Sequence, residues 1–220
     1  MRSGCSIRLD EGCCPYPPST AGICLKSLEK AFLREIDNLK ILVNPEVVYN
    51  PSDDTYLFLD YVELKGNSSI LDMGTGTGIL GIYFSQKAKI VVGVDVNPCA
   101  ILYSSINAVL NKCTNFMPVY SDLFKRVEGV YDYILFNPPY LEEKPRDLVS
   151  LSWAGGRTII CRFLFEAKGR FRESIFLLVP ENILETIEIQ YRVVAEKSFF
   201  FEKLLLIEIK RLSEDPCRSP

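Results

Sequence analysis

A doubly wound α/β fold, a parallel sheet with helices on both faces, is what this 220-residue sequence predicts. Two observations carry that expectation. From Gly66 onward, short continuous apolar runs alternate with helical patterns, and such runs suit strands buried on both faces of a parallel sheet. The first run also opens into a glycine-rich turn, LDMGTGTGILG, of the kind that seats a ligand at a strand's carboxyl end. The length suits one substantial core.

Taken in order, residues 1–24 are rich in Cys, Pro, Gly and Ser and read as irregular or disordered. Leu25, Leu28, Phe32, Ile36 and Leu39 recur at helical spacing, so 25–46 reads as an N-terminal amphipathic helix (25–40) and a linker. The main domain spans 47–212, followed by a tail, 213–220. Ser52 stands as an N-cap with Asp53 and Asp54 in the first turn, predicting a helix that runs to about Leu64. Strands are predicted at 68–73, 89–95, 116–120, 131–136, 174–179 and 203–209, with a further one at 193–201. Helices fall between them at 79–87, 98–111, 156–169 and 181–190.

Charge and composition remove several function classes. A net charge of −3 argues against a protein held to nucleic acid by bulk charge, so direct nucleic-acid binding is not expected. Arg157, Arg162, Lys168, Arg170 and Arg172 cluster locally and read as a solvated helix face. With no histidine in the chain, Ser-His-Asp and Cys-His catalysis and most zinc hydrolase sites are excluded. Eight cysteines occur without a C-x-x-C pair, so no metal site is expected, and those in apolar runs read as reduced core thiols. No segment has the length of a membrane span or the apolar core of a signal peptide, which points to the cytoplasm, with a nuclear pool allowed.

Gly74, Gly76 and Gly78 let the chain turn sharply and let a ligand approach the backbone at the next helix. Gly76, Gly78 and Gly81 satisfy the dinucleotide fingerprint literally, with Asp95 where a ribose partner belongs. Asp72, just before the first glycine, would repel a pyrophosphate and attract the cationic ammonium and sulfonium of S-adenosylmethionine. Asp95 and Asp122 close the second and third strands, and a carboxylate such as Asp95 suits a ribose diol. The fourth strand runs into Asn137, Pro138, Pro139 and Tyr140. Two prolines end a strand and stiffen it, so the Asn137 amide oxygen and the Pro138 carbonyl stand as fixed acceptors for a planar NH2 group. Tyr140 offers a face for stacking.

FNPPY together with LDMGTGTG resembles the amino-methylating S-adenosylmethionine-dependent methyltransferases. VYNPSDDTYLFLD upstream and WAGG (153–156) downstream are similar to the eukaryotic and archaeal HemK-like glutamine methyltransferases, over about residues 47–209. The resemblance implies a seven-stranded class I methyltransferase (Rossmann-like) sheet in the order 3-2-1-4-5-7-6. It implies methylation of the Gln in the Gly-Gly-Gln loop of a class I translation release factor, with S-adenosylmethionine as methyl donor. By position, Thr55, Asp72, Gly74, Asp95, Asp122, Leu123 and Asn137 would contact the cofactor, and Asn137 to Tyr140 would hold the glutamine amide. It further implies a small zinc-binding activator subunit, expected beside the uncharged edge strand near Phe116–Tyr120. The rival readings are a nucleic-acid amino-methyltransferase, a protein-lysine (histone) methyltransferase and a non-catalytic adaptor that keeps the fold.

Overall fold

A computed structural model describes residues 18–141, 155–199 and 202–217. Its elements are α1 (Pro18–Ser27), β1 (Phe32–Ile36), β2 (Leu39–Val43), α2 (Asp53–Tyr61), β3 (Ser69–Met73), α3 (Ile79–Ser85), β4 (Ile90–Asp95) and α4 (Pro98–Leu110). Then come β5 (Phe116–Tyr120), β6 (Tyr131–Phe136), α5 (Gly156–Glu166), β7 (Phe171–Pro180), α6 (Glu181–Leu184), β8 (Arg192–Ser198) and β9 (Lys203–Ile209).

Seven of these strands form one sheet in the order β5-β4-β3-β6-β7-β9-β8. Counted from β3, that is 3-2-1-4-5-7-6, the order expected. The first five strands pair in parallel, while β9 runs antiparallel to both β7 and β8, so the sheet is mixed and not wholly parallel. Alternate residues of one strand feed different cores: Ile70 faces the layer of α2, α3 and the β1–β2 hairpin, whereas Leu71 and Met73 face α5. Burial on both sides is why the strands read as unbroken apolar runs. Strand order reverses at β3, which has β4 on one side and β6 on the other, and an open sheet places its ligand crevice at the carboxyl ends there.

The N-terminal region corrects the sequence reading. Instead of a helix over 25–40, α1 ends at Ser27 and a short 3-10 turn, Leu28–Lys30, leads into an antiparallel hairpin. Asp37 and Asn38 both take positive φ (46° and 65°), the two-residue turn that matches strand twist. Past the turn, Leu39, Ile41 and Val43 are buried and Lys40 is exposed, a period of two. Asn107 and Asn111 of α4 complete the docking. Asn107 Oδ1 accepts from the Leu42 N–H at 2.7 Å, its Nδ2 donates to the Leu42 carbonyl at 3.1 Å, and Asn111 repeats the pair with Lys40. Two side chains thus take the place of a neighbouring strand. The segment expected to be irregular is helical from Pro18, and Cys24 lies in a small core with Val48, Cys99 and Tyr103; Cys5, Cys13 and Cys14 lie outside the described residues.

The cysteines are a second correction. Cys24 pairs with Cys99 and Cys161 with Cys217, with Cα atoms 4.9 and 5.7 Å apart, so Cys99 and Cys161, which lie in apolar runs, are disulfide-bonded and not reduced thiols. Chain folding brings together partners 75 and 56 residues apart, which spacing alone does not reveal. No helix among the described residues is long and apolar enough to cross a membrane.

Candidate active site

A cleft of about 640 Å³ opens at the carboxyl ends of β3, β4 and β6. Its walls include Thr55, Gly74, Gly76, Asp95, Asp122, Leu123 and the whole Asn137–Tyr140 stretch. Sequence reasoning therefore placed most of its site residues on one surface. Asp72 and Gly78 do not line it.

Asp72 is only 1% exposed and serves the loop beneath the cleft. Its Oδ2 accepts from Thr75 Oγ1 at 2.5 Å and from the Gly81 N–H at 3.0 Å. Burial pushes its carboxyl up to about 7, with those two hydrogen bonds pulling the other way. Its part is to brace the glycine turn, and attraction of a cationic ligand is not what this geometry shows. Gly78 is the N-cap of α3 with φ +82°, and a Cβ there would come within 2.9 Å of the Ser104 Cβ. Gly74 also takes positive φ, +66°, and a Cβ there would stand 3.2 Å from the ring of Phe136, the last residue of β6 before Asn137.

Asp95 is half-buried at the end of β4. Oδ2 accepts from the Gly76 N–H at 2.9 Å and Oδ1 from the Asn97 N–H at 2.8 Å, which fixes the carboxylate with lone pairs to spare on the cleft wall. Burial raises it to about 6, against the pull of these backbone donors. Asp122 is tied to Lys125 at 2.7 Å and to Arg162. Partial burial would raise its carboxyl, but those two cationic donors hold it below the ordinary carboxylate value.

The NPPY segment is set by residues whose roles the sequence reading did not assign. Asn137 Nδ2 donates to Asp54 Oδ2 at 3.1 Å, leaving Asn137 Oδ1 buried with no hydrogen-bond partner. Asp54 is 3% exposed and held by Tyr49 OH at 2.8 Å, Ser52 Oγ at 2.9 Å and the Thr55 N–H at 2.6 Å. Ser52 does sit at the N-cap position of α2, but its hydroxyl serves Asp54 and makes no capping bond to the helix. Burial, then the Asp54 charge, pushes the Tyr49 and Tyr140 phenols above their ordinary value, so both stay protonated. Arg34 of β1 donates to Asn50 Oδ1, the Pro51 carbonyl and Tyr56 OH, tying the hairpin to this same loop.

The downstream motif is partly explained too. The Gly156 N–H donates to the Pro139 carbonyl at 3.0 Å and the Gly155 N–H to the Leu141 carbonyl at 2.9 Å. A Cβ on Gly155 would meet the Pro139 carbonyl oxygen at 2.9 Å, so a glycine is needed for this approach. Trp153 and Ala154 lie outside the described residues. Among the described residues, no group of three or more His, Cys, Asp or Glu could hold a metal.

What this arrangement can do is accept a hydrogen-bond donor at Asn137 beside a wall suited to a diol. A family model described as methyltransferase small domain matches residues 50–153. A protein of Methanocaldococcus jannaschii, provisionally named protein N5-glutamine methyltransferase, is 34% identical over 81% of this chain and 98% of its own length. The release factor glutamine methyltransferase of Agrobacterium fabrum is 30% identical over 49% of this chain and 41% of its own. Among solved structures, a methyltransferase from Pyrococcus furiosus superimposes with a TM-score of 0.60 at 21% identity, covering 88% of this chain and 99% of that one, which supports the fold.

Proposed function

Since the chain belongs to the family of protein N5-glutamine methyltransferases, we propose that it methylates the side-chain amide of the Gly-Gly-Gln glutamine in a class I translation release factor, with S-adenosylmethionine as donor. The observation that carries this reading is the buried Asn137 Oδ1 without a partner, beside a rigid two-proline turn. An unpaired buried acceptor costs about 1–3 kcal/mol, which an incoming N–H would offset. The release-factor substrate draws support from the name of the Agrobacterium fabrum relative.

The residues fit the donor. Asp95, locked by Gly76 and Asn97, presents acceptors for a ribose diol, and Gly74 lines the cleft with bare backbone. Thr55, Gly76, Asp122 and Leu123 complete the wall that would hold it. When bound, S-adenosylmethionine supplies a methyl group already activated by a sulfonium. The chain's own work is then positioning and exclusion of water. An amide nitrogen is a poor nucleophile because its lone pair is delocalised. Asn137 Oδ1 and the Pro138 carbonyl would take its two hydrogens, aim the nitrogen into the cleft and favour positive charge building there. Tyr140 would close over the amide plane. The nitrogen carries its surplus proton only after transfer and sheds it to bulk solvent as the product leaves the cleft, so no histidine base is needed.

Asp95 sets a pH dependence. Its ionised form accepts the diol, so affinity is full above about pH 6 and falls as pH drops through that value. Below it the loss should approach about tenfold per pH unit. Calorimetry from pH 5 to 8 checks this, with Asp95→Asn as the control that binds weakly and without the slope. A flat wild-type profile would contradict the assignment.

The edge strand β5 supports a further partner. The stretch from Asn115 to Ser121 carries no charge, Met117 is 50% exposed, and Pro118 is the only residue there that blunts pairing. A small zinc-binding activator subunit would add its backbone along this edge, making a heterodimer. Hydrogen exchange that leaves 116–120 equally open with and without such a subunit would remove this partner. The place of action is the cytoplasm, where release factors work. Incubation with labelled cofactor and, separately, release factor, duplex DNA and histones tests the substrate; label on DNA or histones alone would overturn it.

A further inference from the structure

We infer that Asp54 is the residue that sets the hydrogen-bond polarity of the substrate site, and hence its choice of a glutamine amide over a glutamate carboxylate. The inference rests on the glutamine reading above. A primary amide side chain has an oxygen at one end and an NH2 at the other, of nearly equal size, so packing alone does not decide which end faces a ligand. A charge next to one end decides it. Asp54 carries only acceptors, takes the Asn137 NH2 at 3.1 Å and would repel the amide oxygen in the flipped orientation. The outcome is an Asn137 Oδ1 with no partner of its own.

Four donors hold Asp54 itself: Tyr49 OH to Oδ2, and Ser52 Oγ, the Thr55 N–H and, at 3.3 Å, Thr55 Oγ1 to Oδ1. Tyr49 and Asn137 share the same oxygen, so the carboxylate cannot rotate without losing both. At 3% exposure, water is not there to replace either bond. Asn137 and Asp54 are 83 residues apart, and their contact joins the upstream motif to NPPY. An Asn137 pinned in this sense offers an acceptor to an NH2 donor and nothing to a carboxylate. Asp54 touches neither reacting atom in this scheme; it is a positioning residue acting through Asn137.

The test uses Asp54→Asn and, as a milder change that keeps the charge, Tyr49→Phe. Binding of a release factor bearing Gly-Gly-Gln and of its Gly-Gly-Glu variant is measured with S-adenosylhomocysteine present. Wild type should prefer the glutamine form by on the order of 100-fold or more. In Asp54→Asn the neighbouring amide can meet either end of Asn137, and the preference should fall to within about tenfold. Tyr49→Phe should lie between. Equal weakening for both factors, with the ratio kept, would show a merely structural role and overturn the proposal. A second readout does not depend on the substrate: the Asn137 side-chain NH2 protons should exchange slowly in wild type and quickly in Asp54→Asn. Equal exchange in the two would overturn the proposal as well. Should wild type fail to distinguish the two factors while Asn137 exchange changes as stated, the pinning by Asp54 holds and the glutamine reading fails.

Discussion

Asn137→Ala is expected to remove nearly all methyl transfer and to leave the fold intact. The substitution removes the one buried side-chain oxygen without a partner among the described residues, and with it the acceptor that would fix the reacting nitrogen. Positioning and preorganised acceptors together are worth several kcal/mol of barrier, so turnover should fall on the order of a thousandfold or more. Stability should change little. Asp54 keeps Tyr49, Ser52 and the Thr55 N–H after the amide is gone, and Asn137 is only half-buried. Single-turnover transfer, thermal melting and cofactor affinity separate these effects. A variant that keeps most of its activity would contradict the role given to NPPY; one that melts far lower would make the loss structural.

Phe163→Ala has the largest expected effect on stability, a loss of about 3–5 kcal/mol. Phe163 has no exposure, stacks on Phe124 with centroids 5.9 Å apart, and tilts against Phe136 at 4.5 Å. Each ring neighbours a site residue: Phe124 follows Leu123, Phe136 precedes Asn137, and Phe163 follows Arg162, which binds Asp122. The cluster joins α5 to the floor of the cleft. A cavity there would loosen both the Asp122 end and the Asn137 end at once. Urea unfolding measures the cost, and a change below about 1 kcal/mol would mean the rings are not packed as described.

Legibility of the chain followed the range of each interaction. The strands were readable because both faces of the sheet are covered, which forces apolar residues at consecutive positions; 116–120, 131–136 and 203–209 match their strands at both ends. The N-terminal reading failed because Leu25, Leu28, Phe32, Ile36 and Leu39 mimic a helical period across a turn, while Asp37-Asn38 and the alternation from Leu39 to Val43 carried the true signal. Helices also ran long in the reading: α2 stops at Tyr61, and 181–190 shrinks to the four residues of α6. Within the site, residue types at strand ends were legible, but the direction in which each side chain faces was not. Asp72 bonds back to Thr75 and Gly81 beneath the turn, while Asp95 faces the cleft. Asp54 was visible as part of a motif, yet its role depends on a residue 83 positions away. The two disulfides share that character, since only the packing of α1 on α4 and of the C-terminal segment on α5 brings their halves together.

The most direct measurement is tandem mass spectrometry of a class I release factor after incubation with methyl-labelled S-adenosylmethionine and the purified chain, with and without the proposed activator subunit. A single labelled methyl on the side-chain nitrogen of the Gly-Gly-Gln glutamine, absent with Asn137→Ala, is the expected result. Label on a lysine or on another residue, or transfer that persists without Asn137, would contradict the assignment of that amide to this site.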